Sequence, residues 1–350
     1  MPFLLYGATG YTGRLIAALA VERGHQPVLA GRTAGTLRPL AERLGLDATV
    51  VPLDDARGLD RALAGVPAVL HAAGPFAHTA RPMVEACLRT GTHYLDITGE
   101  IAVFEALHAR DQEARGAGVT VLPGVGFDVV PTDCLALHLH GRLPSATRLR
   151  LAIRALSEAS HGTARTAVEN AGEGGAVRRE GRIVRVPAAH EQITATFSDG
   201  ATRTCTAIPW GDVSTAYHTT GIPSVTTYAA LPPGAVRAMR ASRYLGPVLR
   251  SAPVQGLLRR LVEARVSGPS EEDRAGGRSF VWCEAVDGDG HRVVSRWSGP
   301  EGYTLTADTA LRAALRVSAG ETEPGFQTPG LAFGADFALE PEGTAREDVA

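Results

Sequence analysis

The chain contains no lysine: all 35 of its basic residues are arginine. That absence excludes Schiff-base catalysis through a lysine amine and a Tyr-x-x-x-Lys catalytic pair. Cysteine is scarce as well. Cys87, Cys134, Cys205 and Cys283 are scattered with no C-x-x-C spacing. They predict neither a disulfide framework nor a zinc site, and they suit a reducing compartment. No metal is expected. No apolar run approaches the roughly 18 residues needed to cross a bilayer. Net charge is only −2, so no global field favours nucleic acid. The first strand pattern begins at residue 3, so no signal peptide is expected and the location expected is cytoplasmic.

What is present reads as a globular chain, 44% hydrophobic and 21% charged over 350 residues, enough for one large domain or two ordinary ones. An apolar run at residues 3–6 ends in Gly7, Gly10 and Gly13, spaced G-x-x-G-x-x-G, and helix-period residues follow at once. With 40 glycines in the chain a triplet alone says little, but strand, tight turn and helix in that order describe a dinucleotide turn. Gly7 permits the bend, Gly10 lets a pyrophosphate approach, and Gly13 lets helix and strand pack. Thr9, Tyr11 and Thr12 line the same turn.

The second apolar run ends in Gly31-Arg32-Thr33. A binder of NAD places a carboxylate near here for the ribose hydroxyl, whereas Arg32 suits a 2′-phosphate. The expected cofactor is NADP(H). The strand–helix pattern then repeats through runs at 49–53, 68–71, 93–95 and 119–122. Each run ends in Gly, Pro or a short polar residue. Ligands of open α/β sheets bind at those carboxyl ends, so Asp54, Ala73, Gly74, Pro75, Thr98 and Gly99 join the candidate cofactor residues.

Beyond residue 133 the texture changes. Short strands are expected at 148–156, 183–187, 193–197, 203–208, 213–218 and 225–229. A turn at 160–163 precedes a helix at 164–170. Two basic amphipathic helical stretches fill 233–265, a polar loop covers 268–274, and a hairpin turns at Asp287-Gly288-Asp289-Gly290. A last helix is expected at 305–317 and a frayed tail after it. The fold class expected is α/β: an N-terminal Rossmann-type, doubly wound parallel sheet with a second α+β domain on a mostly antiparallel sheet. The domains expected are 1–133 for cofactor and 134–302 for substrate and oligomerisation, with 303–350 returning to the first.

The pieces YGATGYTG (6–13), AGR (30–32), AAGPF (72–76), GTHYLDITGE (91–100), PGVGFDVVPTD (123–133), HGTART (161–166), GPSEEDR (268–274) and the Thr-Pro segment at 325–334 occur in order along the chain. Together they resemble the saccharopine dehydrogenase-like oxidoreductases, and GPSEEDR with GFDVVPTD is more similar to the trans-acting enoyl reductase branch. The resemblance implies an NADP-binding N-terminal domain and a C-terminal helix that returns to it.

A reductase must supply a proton or an oxyanion donor beside the nicotinamide. Tyr94, Asp96, Thr98, Glu100, Asp128, Asp133 and His161 are candidates, and Tyr94, Asp128 and His161 are the expected catalytic residues in that order. Three functions stay open. One is NADP(H)-dependent reduction of an activated C=C in an enoyl thioester, carrier-protein- or CoA-bound. Another is reduction of C=N, or the opine-type reverse. The third is a non-catalytic dinucleotide-binding protein. The partners expected are a small-molecule substrate and a second copy in a homodimer, with peripheral membrane contact by 243–265 the less favoured use of the basic segment.

Overall fold

The computed structural model describes residues 3–155, 168, 172–265 and 268–349. The chain forms two compact units, Met1–Val130 with Tyr303–Phe333, and Pro131–Gly302 with Gly334–Ala350.

In the first unit, strands β1 (Leu4–Tyr6), β2 (Val28–Gly31), β3 (Ala48–Val50), β4 (Ala68–His71), β5 (His93–Asp96) and β6 (Thr120–Leu122) alternate with helices. These are α1 (Tyr11–Glu22), α2 (Ala34–Leu44), α3 (Ala56–Leu63), α4 (Phe76–Thr90), α5 (Ile101–His108) and α6 (Asp111–Gly116). Between β5 and β6 the chain thus forms two helices, α5 and α6. The central strands are apolar on both faces, as a parallel sheet clothed by helices requires: every residue of β1, β4 and β6 is buried.

α7 (Val130–Arg142) leads out of this unit, and the chain comes back as α12 (Gly302–Ser318), β15 (Gly325–Phe326) and α13 (Pro329–Phe333). The sheet order is β15-β6-β5-β4-β1-β2-β3, all parallel. The chain winds outward from β1 through β2 to β3, then crosses back to β4 on the other side of β1. That reversal opens a crevice at the carboxyl ends of β1 and β4, where such sheets bind ligands.

The second unit contains β7 (Ala146–Ala155), β8 (Gly175–Arg179), β9 (Arg182–Val186), β10 (Gln192–Thr196), β11 (Thr202–Ala207), α8 (Asp212–Thr220) and β12 (Ser224–Ala229). It continues with α9 (Pro233–Leu249), α10 (Ala252–Arg265), α11 (Glu271–Gly276), β13 (Arg278–Asp287), β14 (Arg292–Pro300) and β16 (Ala345–Val349). The main path runs β10-β11-β12-β7-β13-β14-β16, with the β8–β9 hairpin added at β12. It is antiparallel except where β12 lies parallel to β7. No described helix is long and apolar enough to cross a membrane.

Three expectations are corrected here. Residues 213–218, read as a strand from their Val and Thr content, lie in α8. That helix buries Val213 and Ala216 and ends on left-handed Gly221, φ +73°, so tertiary burial and a glycine stop outweigh weak propensity. The polar stretch 268–274, read as a loop, opens α11 through a capping box. There Ser270 Oγ accepts from Asp273 N at 3.1 Å, and Ser270 N donates back to the Asp273 carboxylate at 3.0 Å. The tail, read as frayed, forms β16 and pairs antiparallel with β14, so residues 334–350 stay with the second unit while 303–333 return to the first. β16 is held by side chains as well: Ser295 Oγ donates to Asp348 at 2.6 Å and Arg296 pairs with Glu347 at 3.0 Å.

Candidate functional site

The turn after β1 is built around its glycines. Gly7 has φ +83°, and a Cβ there would lie 2.8 Å from the Ala72 carbonyl carbon and from Ala73 N. Its own N–H donates to Ala30 O at 2.9 Å, and Gly10 N donates to Gly7 O at 3.0 Å. A Cβ on Gly13 would run into the Gly7 carbonyl, so strand and helix touch backbone to backbone. Gly10 differs from both. It is exposed, and the nearest atom to an added Cβ is Gly7 O at 3.2 Å. That contact is tight but milder than those at Gly7 and Gly13, so a side chain at Gly10 would press on the turn and stand in the path of a ligand passing over it.

Gly10 is also the N-cap of α1, with no side chain closing that end. The positive end of the helix dipole there favours an anion. Thr9, Tyr11 and Thr12 are partly exposed around it, and Tyr11 stands edge-on to Tyr303 at 4.9 Å. α2 starts the same way: its N-cap, Thr33, makes no side-chain capping bond. Arg32 immediately before it is exposed, with no hydrogen bond or ion pair among the described residues. Arg32 and exposed Asp54 both act electrostatically on the Tyr6 hydroxyl, with opposite sign. These features fit a phosphorylated dinucleotide: a glycine turn open to pyrophosphate, a bare helix end behind it, and an unengaged guanidinium for a further phosphate.

The loop after β4 closes over the turn. Ala72 N donates to Tyr6 O at 2.8 Å, Ala73 O accepts from Thr79 Oγ1 at 2.7 Å, and the Gly74–Pro75 peptide is cis. Here the following helix is not bare. The Glu100 carboxylate accepts from Phe76 N at 2.8 Å and from Ala77 N at 2.9 Å, so a side chain fills the N-terminus of α4. Beneath the loop His71 is fully buried among Tyr6, Phe76 and Tyr94. Burial pushes it down to about 3, so it is neutral and takes no part in proton exchange near pH 7.

The ends of β5 and β6 meet around two carboxyls. Asp96 is fully buried. It accepts from Tyr94 Oη at 2.6 Å, Thr98 N at 2.9 Å and Gly124 N at 3.0 Å. It therefore ties the two strand-end loops together. Burial pushes it up to about 6 despite those donors. Tyr94, the first-ranked donor from the sequence, is fully buried with its hydroxyl on Asp96, and burial raises it well above the usual tyrosine range. Asp128 lies on the other side of the β5 loop: a Cβ on Gly99 would sit 2.7 Å from its Oδ2, so Gly99 makes room for this carboxyl. Asp128 keeps partial exposure of its surface, and burial of its carboxyl pushes it up to about 6. Thr98 is buried, its Oγ1 accepting from Glu100 N at 3.1 Å.

α12 braces the β6 loop from behind. Thr306 Oγ1 accepts from Phe127 N at 2.9 Å, Thr309 Oγ1 donates to Val125 O at 2.8 Å, and a Cβ on Gly126 would lie 2.8 Å from Thr306 Cγ2. The structure thus gathers Gly7, Gly10, Gly13, Ala73, Gly74, Pro75, Thr98, Gly99 and Asp128 along one edge of one sheet, with Arg32, Thr33 and Asp54 at the ends of β2 and β3. His161 lies outside the described residues. Reading by sequence missed Tyr303, Thr306 and Thr309 as site-bracing residues and the capping role of Glu100. Nothing local marks the threonines, since Thr306 is 179 residues from its partner Phe127. The ITGE piece placed Glu100 beside the site without showing what it binds.

Residues 3–122 match the family described as the saccharopine dehydrogenase NADP binding domain. A trans-acting enoyl reductase of Mycobacterium leprae is 36% identical over 148 residues, 40% of this chain and 35% of the relative. A trans-acting enoyl reductase of Mycobacterium tuberculosis is 33% identical over 147 residues, with the same coverage. The alignment thus spans about a third of the length of these curated relatives. Among solved structures, apo saccharopine dehydrogenase of Saccharomyces cerevisiae superposes with a TM-score of 0.67 at 16% identity, covering 99% of both chains. Homospermidine synthase of Legionella pneumophila in complex with NAD gives 0.64 at 9% identity, covering 99% of this chain and 91% of its own. Residues 3–122 are thus similar to the saccharopine dehydrogenase NADP binding domain, and the chain shares the fold of saccharopine dehydrogenase.

Proposed function

We propose that this protein is an NADP(H)-dependent reductase of an activated C=C, acting on an α,β-unsaturated thioester held by coenzyme A or a carrier protein. The observation that carries the reading is the NADP-binding domain, with its open Gly10 turn beside unpaired Arg32, in a chain similar to trans-acting enoyl reductases. Bound NADPH would supply a hydride to the β-carbon of the thioester, leaving the α-carbon to be protonated. The protein's part is to hold the phosphates on α1 and α2, to shape the far edge of the sheet, and to provide the proton. Asp128 suits the last task. It is the partly exposed carboxyl at the β5–β6 edge, and its affinity for a proton is raised into the range where transfer near neutrality is efficient. Asp96 and Tyr94, paired and buried, position the loops instead.

The test measures NADPH consumption with enoyl thioesters, cyclic imines, and 2-oxo acids offered with amino acids. Turnover on the thioesters supports the reading. Turnover confined to imines or to 2-oxo acids with amino acids replaces it with C=N chemistry, and binding without consumption leaves a dinucleotide-binding protein. Where chemistry limits the rate, kcat should fall as pH rises through about 6, because the proton-bearing form of Asp128 is lost there. Asp128→Asn should lower kcat by about 10²–10⁴-fold and abolish that pH limb. A loss below about threefold, under ~1 kcal/mol of barrier, would mean that Asp128 does not deliver the proton in the limiting step.

A further inference from the structure

The pair α9–α10 belongs to neither sheet and is charged unlike the rest of the chain. Residues 233–265 hold seven arginines and one glutamate, a net of +6 within a protein whose total is −2. One side of the pair is anchored. Val236 and Gln255 are buried, Arg243 donates to the Ala188 and Ala189 carbonyls at 2.7 and 2.8 Å, and Gln255 Nε2 donates to Leu249 O at 2.8 Å. The other side is apolar and open. Tyr244 is 86% exposed, Leu245 48%, Val248 55% and, on α10, Leu257 58%; these four are most of the large apolar residues exposed among the described ones. Arg237, Ala241, Tyr244 and Val248 follow i, i+4, i+7, i+11 spacing, which is one stripe of a helix. Arg237, Arg250 and Arg260 on the same two helices are exposed.

We propose that this helical pair docks the protein on the surface of an anionic phospholipid bilayer, independently of the reaction at the sheet edge. An amphipathic helix with arginines flanking an apolar stripe lies in the plane of a membrane interface, its apolar residues among the acyl chains and its cations at the headgroups. Docking to a second copy through the same face would oppose two clusters of like charge. The other exposed apolar residues of the pair include Ala238, Ala241, Ala252, Pro253 and Gly256, small side chains that give a protein partner little to grip. A bilayer demands none.

The test uses the full chain and two sets of vesicles, pure phosphatidylcholine and an equimolar mixture with phosphatidylglycerol. Sedimentation with the anionic vesicles alone, weakening with salt, is the expected result. Arg237→Gln/Arg250→Gln/Arg260→Gln removes three exposed arginines whose side chains make no hydrogen bond or ion pair among the described residues and should weaken vesicle affinity by about a hundredfold. Tyr244→Ser/Leu245→Ser/Val248→Ser should abolish it with NADPH binding retained. Tyr244→Trp, which keeps the packing, should show a blue-shifted emission component only with anionic vesicles. No binding to anionic vesicles at low salt would overturn the proposal. So would binding that the serine variant retains, or a solution dimer that the serine variant dissociates, because a second copy would then cover this face.

Discussion

Helices begin in two different ways along the carboxyl edge of the parallel sheet. α1 and α2 start on Gly10 and Thr33, neither of which caps its helix with a side chain. α3 and α4 start on carboxylates: Asp55 accepts from Gly58 N at 2.9 Å, and Glu100 takes both Phe76 N and Ala77 N. All four carry the same kind of dipole and the same unpaired N–H groups. The protein closes two of these ends with its own anions and leaves two for another. The two left open are those beside the glycine turn and Arg32. A dinucleotide phosphate is thereby favoured at β1 and β2 and repelled at β3 and β4, where a negative charge already stands.

The largest effect that would break this contrast is a side chain on the glycine turn. Gly10→Val should lower the melting temperature less than Gly13→Val does, its Cβ meeting Gly7 O at 3.2 Å, and weaken NADPH binding by more than about a hundredfold, roughly 2.7 kcal/mol. Gly13→Val should instead destabilise the domain by about 1–3 kcal/mol through overpacking against the Gly7 carbonyl. Calorimetric titration and thermal unfolding of the two variants separate the outcomes, and NADPH affinity preserved in Gly10→Val would put the pyrophosphate elsewhere.

A smaller effect sharpens the role of the second open helix. Arg32→Ala should cost about 1.5–3 kcal/mol of NADPH affinity, the scale of a hydrogen bond to a charged group, and leave NADH affinity unchanged. Equal losses for both cofactors would show that Arg32 holds something other than the 2′-phosphate.

The smallest effect concerns a filled end. Glu100→Ala strips α4 of its cap and should lower unfolding stability by about 1 kcal/mol. NADPH affinity should stay within error if the phosphates bind, as proposed, on the other two helices. A large loss of cofactor with unchanged stability would place Glu100 at the ligand instead of at the helix end.

Some of this was readable residue by residue, because local chemistry decides it. Gly7, Gly10 and Gly13, the alternation of apolar runs with helical spacing, Arg32 in place of an acid, and the Asp-Gly hairpin between β13 and β14 each act over a few residues, where the backbone follows side-chain size and turn preference. The rest depends on burial and on partners distant in sequence. α8 is helical although its Val and Thr residues favour a strand, because its buried face packs and Gly221 stops it. The tail is a strand because β14 offered a free edge to residues too polar to suggest one. Asp96 joins two loops through Thr98 and Gly124, and Thr306 braces Phe127 from the far end of the chain. Tyr94 read as a donor because residue type and position at a strand end were all the sequence showed, and packing turned it inward onto Asp96. The sequence alone determined which chemistry the sheet edge could hold. Only tertiary structure decided which helix ends a carboxylate closes and which carboxyl keeps partial exposure, because a hydrogen bond or a desolvated charge is settled by what the fold brings next to it.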